Sequence, residues 1–219
     1  MIIVIDGPAG SGKSSTAKSI ANRLSLHYLD SGALYRAVTC LWINAGKPEK
    51  EQFFNMLTEV HLQVEYINDL FHVKANGEDL TNQIRSQEIS SHVSEIASLP
   101  EVRGYVNALM KKIIANGIYI ADGRDLGTAV FPDAFLKFYM DASLEERAMR
   151  RFRELENSGQ NVSFKDVKQN LNDRDLKDKS RVSDPLKKAP DAILIDTTGK
   201  TFEEQISEIT QIIKENIKL

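Results

Sequence analysis

The chain has 219 residues, 42% hydrophobic and 27% charged, an ordinary globular composition with room for one α/β domain carrying insertions. A net charge of −3 lacks the basic excess of a DNA or RNA binder, although a few local arginines would still hold a small phosphorylated ligand. The single cysteine, Cys40, excludes an intrachain disulfide, and His27, His61, His72 and His92 fall at no metal-ligand spacing.

No apolar run approaches the ~20 residues of a membrane span. The start, Ile2-Ile3-Val4-Ile5, lacks the basic residues and longer apolar stretch of a signal peptide. The expectation is a cytoplasmic, monomeric protein with no nucleic-acid or membrane partner.

The β-branched run Ile2 to Asp6, stopped by Gly7-Pro8, reads as a buried strand. Ala17, Ile20, Ala21 and Leu24 follow at helical spacing, giving a helix from about Lys13 to Leu24. His27 to Leu29 suits a short strand, and Leu34 to Ile43 and Glu51 to Leu57 suit helices. Leu62, Val64 and Tyr66 then alternate with polar residues, Asn68-Asp69 marks a turn, and Leu70 to Ala75 forms a second strand closed by Asn76-Gly77. This meander interrupts a βα rhythm and reads as an insertion.

Ile84 to Leu99 and Val102 to Ile114 are helical, broken at Pro100. Ile118 to Ala121 and Phe135 to Met140 are further strands, and Ser143 with Glu146 forms a capping box before a charged helix. Another helix begins at Val162 to Leu171, Ala192 to Ile195 is the last strand, and Thr201 with Glu204 caps a final helix. Its core face is Ile206, Ile209, Ile213 and Ile217. Strands alternating with helices imply an α/β fold with a doubly wound parallel sheet, whose ligands sit beyond the carboxyl ends of the strands.

Gly7-Pro8-Ala9-Gly10-Ser11-Gly12-Lys13-Ser14 matches G-x-x-x-x-G-K-[ST] between a strand and an amphipathic helix, the context that gives this motif its meaning. Glycines let the backbone wrap a phosphate chain with its N–H groups inward, and the helix start adds its positive dipole end. Lys13 would reach the β and γ phosphates and Ser14 would offer its hydroxyl to Mg²⁺. The loop predicts a bound nucleoside triphosphate, without separating kinases from GTPases or other ATP-driven proteins.

Three further clusters point to a second anionic substrate. Asp30-Ser31-Gly32-Ala33-Leu34-Tyr35-Arg36 gathers Ser31, Tyr35 and Arg36 near a helix start, where a plain N-cap is the competing reading. Asp122-Gly123-Arg124-Asp125-Leu126-Gly127 puts two carboxylates around an arginine at the end of a buried strand. Arg174, Asp178 and Arg181 share a face if their stretch is helical, a solvated face being the alternative. Arg147, Arg150 and Arg151 follow the capping box. Arg147 and Arg151, four apart, suit two clamps on a transferring phosphoryl group or, equally, surface pairs with nearby glutamates. No Asn-Lys pair of a guanine-specific N-K-x-D motif occurs, and the only late D-x-x-G is Asp196-Thr197-Thr198-Gly199.

Taken with Ile84-Arg85-Ser86-Gln87-Glu88 and Pro100-Glu101-Val102-Arg103, these segments run in family order along almost the whole chain and resemble the bacterial cytidylate kinases, P-loop nucleoside monophosphate kinases. The resemblance implies a core of residues 1–35, 115–144 and 182–219, a monophosphate-binding insert of about 36–114, and a helical lid of about 145–165 with 166–181 returning to the acceptor site. It implies transfer of the γ-phosphoryl group of ATP to CMP or dCMP, with Mg²⁺. The loop Gly7 to Ser15 would hold ATP, and Lys13, Arg36, Arg124, Arg147 and Arg151 would neutralise the reacting phosphates. Ser31, Arg36, Arg124 and Arg174 would contact the acceptor phosphate or its surroundings, with Tyr35 and Asp122 nearby. Ser94, Arg103, Asp125 and Arg181 would surround the base and Asp178 the sugar. The rivals are another P-loop small-molecule kinase, for UMP, AMP or shikimate, and a nucleotide-dependent switch.

Overall fold

Strand β1 (Ile2–Asp6) is buried along its whole length, with apolar side chains on both faces. In the computed structural model, which describes residues 1–67, 70–114 and 116–217, it is the middle strand of a five-stranded sheet. The order is β2-β6-β1-β7-β8, with β2 (His27–Asp30), β6 (Tyr119–Gly123), β7 (Leu136–Asp141) and β8 (Ile193–Asp196). β1 pairs in parallel with β6 from Ile2↔Tyr119 to Asp6↔Gly123, and with β7 from Ile3↔Leu136 to Asp6↔Tyr139. β7 pairs in parallel with β8. Buried parallel strands carry near-continuous apolar runs because helices cover them.

The chain divides into two compact units, one of Met1–Tyr28 with Ile118–Leu219 and one of Leu29–Gly117. In the first, α1 (Lys13–Leu24) and α8 (Phe202–Asn216) bury Ala17 and Ile20, and Ile206, Ile209 and Ile213, with Ile3, Ile5, Ile120, Phe138, Met140 and Ile195. The reciprocal capping box of Thr201 and Glu204 starts α8. α6 (Leu144–Asn157) and α7 (Phe164–Ser180) pack through Leu144, Ala148, Phe164 and Leu171, together with Ala9 of the phosphate loop.

The second unit contains α2 (Ser31–Asn44), α3 (Lys50–Thr58), α4 (Gln87–Ile96) and α5 (Pro100–Ile113). It also holds an antiparallel meander of β3 (Leu62–Ile67), β4 (Leu70–Ala75) and β5 (Glu78–Asp79). Asn76 and Gly77, with φ of 50° and 88°, make the left-handed two-residue turn that Asn-Gly favours. The Asn68-Asp69 turn lies outside the described residues. This unit begins before residue 36, so it includes Asp30, Ser31 and Tyr35. Residues 145–181 belong to the same unit as the phosphate loop.

Several boundaries differ from the sequence reading. The helix expected over Ile84 to Leu99 is a 3₁₀ turn at Gln83–Arg85 followed by α4. Ser86 is extended (φ −63°, ψ 157°) and its Oγ accepts the Ile89 N–H, the cap geometry serine favours. α2 starts at Ser31 because the Asp30 carboxylate accepts the Ala33 N–H at 2.8 Å. α7 runs on to Ser180 without a break. The capping box expected at Ser143 and Glu146 is half made: Ser143 accepts the Glu146 N–H, while the Glu146 carboxylate turns to Arg150 Nε. A π-type turn at Leu126–Val130, closed by Phe131 N–H on Leu126 O at 2.7 Å, had no counterpart in the periodicity. Such turns carry no hydrophobic signature and collect at functional sites.

Candidate functional site

The phosphate loop leaves β1 at Gly7, where a Cβ would lie 2.1 Å from the Met140 carbonyl oxygen. Only glycine lets the chain depart so close to β7. Gly12 caps α1 with φ 88° and no side-chain hydrogen bond, so the first turn of α1 opens toward an anion. Lys13 is buried, and its Nζ donates to Pro8 O at 3.0 Å. Burial and then the Arg124 guanidinium push its pKa down to about 7; Asp122 and Asp178 pull it up, and Arg174 pushes it down. A buried ammonium whose charge is disfavoured by desolvation and by Arg124 gains from an anionic phosphate brought beside it.

Ser14 Oγ donates to Asp122 Oδ2 at 2.5 Å, and Tyr28 Oη donates to Asp122 Oδ1 at 2.6 Å. Ser15 is exposed and Ser11 fully buried. Among the described residues no three His, Cys, Asp or Glu side chains form a metal cage. The hydroxyl of Ser14 and the carboxylate of Asp122 nevertheless set two hard oxygens side by side beneath the loop, a donor set that suits a cation carrying most of its ligands as water and phosphate.

The tip of the loop is held from outside. Ala9 N–H donates to Asp175 Oδ1 at 3.1 Å, and Ala9 O accepts from Arg147 at 2.9 Å. Arg147 also donates to Ala142 O at 3.0 Å and to Asp175 Oδ2 at 2.6 Å. Both side chains are 8% exposed. The Ala9 N–H therefore faces α7 instead of the loop interior.

Arg147 and Arg151 do not stand together as a pair of clamps. Arg147, in the first turn of α6, reaches the loop tip; Arg151, one turn later and beyond the core, lies in solvent with Glu154 at 2.9 Å. Arg150 bonds Thr197 O and Oγ1 at 2.6 and 3.1 Å and comes within 3.9 Å of the position a Cβ on Gly12 would take.

Beyond the end of β6, α7 runs beside the Asp122–Asp125 turn. Arg124 Nε donates to Asp178 Oδ2 at 2.9 Å, and Arg181 donates to Asp125 Oδ1 at 2.5 Å and to Asp184 O at 2.6 Å. Consecutive residues of the turn thus meet Asp178 of α7 and Arg181, the extended residue that follows the helix. Arg174, on the face of Asp178, contributes to the field on Lys13. The helical spacing read from the sequence holds for Arg174 and Asp178, while Arg181 lies just past the helix end; Asp178 and Arg181 are ion-paired and largely buried instead of solvated.

In the second unit, Tyr35 Oη donates to Asn107 Oδ1 at 3.2 Å and its ring lies 5.6 Å from the buried Arg103 guanidinium, which also donates to Ala97 O. Arg36 donates to Ser90 Oγ at 2.8 Å and to Ile84 O at 3.4 Å. Asp30, the N-cap, accepts from Arg85 at 2.9 Å. Ser31 is buried at the first position of α2, and Ser94 is half-buried on α4.

Three residues bonded to these segments were not among the sequence's site candidates: Asp6, Tyr28 and Asp175. Each is known by its partners alone.

Among the described residues no helix is long and apolar enough to cross a membrane. A solved structure of an uncharacterized protein from Eubacterium ventriosum shares the fold, with a TM-score of 0.55 over 98% of each chain at 11% identity. A family model described as cytidylate kinase matches residues 3–215. Cytidylate kinases of Carboxydothermus hydrogenoformans and Pseudothermotoga lettingae are similar to the chain, at 43% identity over 97% of both chains and 40% over 100% of this chain and 96% of the relative. The chain belongs to the cytidylate kinase family.

Proposed function

We propose that the phosphate loop, the Asp122–Asp125 turn and α7 carry out the reaction of this family, moving the γ-phosphoryl group of ATP to CMP or dCMP to give ADP and CDP or dCDP. The observation that carries the reading is the convergence, in one unit, of Lys13, Ser14 and Asp122 with Arg124, Asp178, Asp125 and Arg181. An acceptor phosphate oxygen forms the new bond to the γ-phosphorus, and the bond from that phosphorus to the β–γ bridging oxygen breaks, its electrons leaving with ADP.

Such a transfer needs in-line positioning and cancelled charge more than a general base. Lys13 would neutralise the β and γ oxygens from within the loop Gly7 to Ser15. Arg124 and Arg174 would hold the acceptor phosphate, and Asp178 would orient Arg124. Ser14, with Asp122 held by Tyr28, would bind Mg²⁺, whose chemistry there is further charge neutralisation. In the second unit, Ser31, Tyr35 and Arg36 take the acceptor-phosphate roles implied by the family, and Ser94 and Arg103 base roles. Residues 145–165 act as a lid that excludes water. We also read the protein as cytoplasmic and monomeric.

Base choice follows from donor and acceptor patterns. Cytosine presents an amino donor at N4 where uracil presents an acceptor at O4. Asp125, ionised, only accepts and so suits cytosine. A buried mismatch of that kind costs a few kcal/mol. Asp125→Asn keeps the shape and adds a donor. It is expected to lower kcat/KM for CMP and to narrow the CMP/UMP ratio by about tenfold, with ATP binding little changed. An unchanged ratio in a folded variant would move base recognition to Ser94 or Arg181.

A further inference from the structure

Asp6 is the last residue of β1, 4% exposed and followed directly by the phosphate loop. Its two carboxylate oxygens accept consecutive backbone N–H groups across the sheet, Leu126 at 2.9 Å on Oδ1 and Gly127 at 2.7 Å on Oδ2. Those amides open the π-type turn that begins one residue after Asp125. On that side the turn packs closely against β1 and β7. A Cβ on Gly127 would lie 3.3 Å from Val4, 3.2 Å from Lys137 Cδ and 3.4 Å from Asp6 Oδ2. Asp125 itself is fixed from α7 by Arg181.

We infer that Asp6 is a positioning residue for acceptor selection: its carboxylate grips the Leu126 and Gly127 amides and so sets where Asp125 presents itself to the base. The inference rests on the reading of Asp125 given above. Two features of Asp6 support it. Only an ionised carboxylate offers both oxygens as acceptors to two parallel donors; an amide would set its NH₂ against one of them. The ionised form is also not the one that burial favours. Burial pushes its pKa up to about 6, against the pull of the Gly127 and Leu126 amides and of Lys13, with Asp125 adding to the rise. A folded-state pKa above the unfolded value means the ionised form is carried at a cost to the fold at neutral pH. The cost is explained if the charge holds a turn whose placement matters for substrate.

The test is Asp6→Asn in the full-length protein, with kcat and KM measured separately for ATP, CMP and UMP. The expected result is a rise of about tenfold in KM for CMP, a CMP/UMP ratio reduced in the same direction as in Asp125→Asn, and a KM for ATP within about twofold of the parent. A folded Asp6→Asn protein with the parental CMP/UMP ratio overturns the inference, whatever Asp125→Asn shows. If Asp6→Asn narrows the ratio and Asp125→Asn does not, Asp6 does position the turn and another group on it reads the base. Should Asp6→Asn fail to fold, Gly127→Ala crowds the same turn against Val4, Lys137 and the Asp6 carboxylate. A narrowed ratio there supports the inference, and a parental ratio in folded Gly127→Ala overturns it.

Discussion

Lys13→Ala is expected to lower turnover by about a hundredfold or more, since electrostatic stabilisation of the transferring phosphoryl group is the dominant catalytic contribution. It is also expected to leave the protein at least as stable as the parent. The Lys13 ammonium is buried beside Arg124 and Arg174, and its pKa is depressed to about 7, so its charge is held at a cost that truncation removes. Its one hydrogen bond in the loop, to Pro8 O, is a small loss by comparison. A thermal melt at neutral pH and a coupled ADP-release assay together check both halves. A folded variant with nearly full activity would show that Lys13 does not touch the reacting phosphates.

Arg147→Ala is expected to do the opposite, damaging the fold first. It leaves the Asp175 carboxylate buried and unpaired, which typically costs about 3–5 kcal/mol. It also removes the donor to Ala9 O, so the loop tip loses one of its two outside ties. For a chain of this length that loss corresponds to a melting temperature lower by about 10 °C. ATP affinity should fall with it, because the tip must reorder on binding. Urea unfolding of parent and variant measures the stability change. Parental stability with a selective loss of kcat would return Arg147 to the phosphoryl clamp that its spacing from Arg151 suggested.

These two residues also show what the sequence could and could not reveal. Lys13 was legible because the loop chemistry fixes both residue types and spacing: Gly7 is demanded by the Met140 carbonyl and Gly12 by its left-handed φ. β1, β6 and β7 were legible because burial on both faces writes continuous apolar runs, and α8 because its isoleucines repeat at helical spacing. The contacts of Arg147 were not legible, because a four-residue spacing gives a shared face and not a destination. Whether an arginine turns inward or to solvent depends on which carbonyls and carboxylates lie beyond its own helix.

The same holds for the pairs Arg124–Asp178 and Arg181–Asp125. Spacing places Asp178 on the face of Arg174 but carries Arg181 past the helix end, and the partners come from strand order, which sets β6 against β1 and α7 over the turn. Asp6 and Asp175 act through backbone amides of distant segments, and no local pattern marks an acceptor for a backbone donor more than a hundred residues away. The Ser86 break escaped because no glycine or proline marks it. Only the cap reset, visible in the backbone angles, divides the segment.

The assignment of substrate is tested most directly by ADP release from ATP across all ribo- and deoxyribonucleoside monophosphates, with a reaction lacking any acceptor. CMP and dCMP should give the highest kcat/KM, at least about tenfold above UMP and further above the purine nucleotides, with negligible ADP in the absence of acceptor. A higher kcat/KM for UMP or AMP, or ADP release that proceeds without acceptor, would contradict the reading of Asp125 and of the site as a whole.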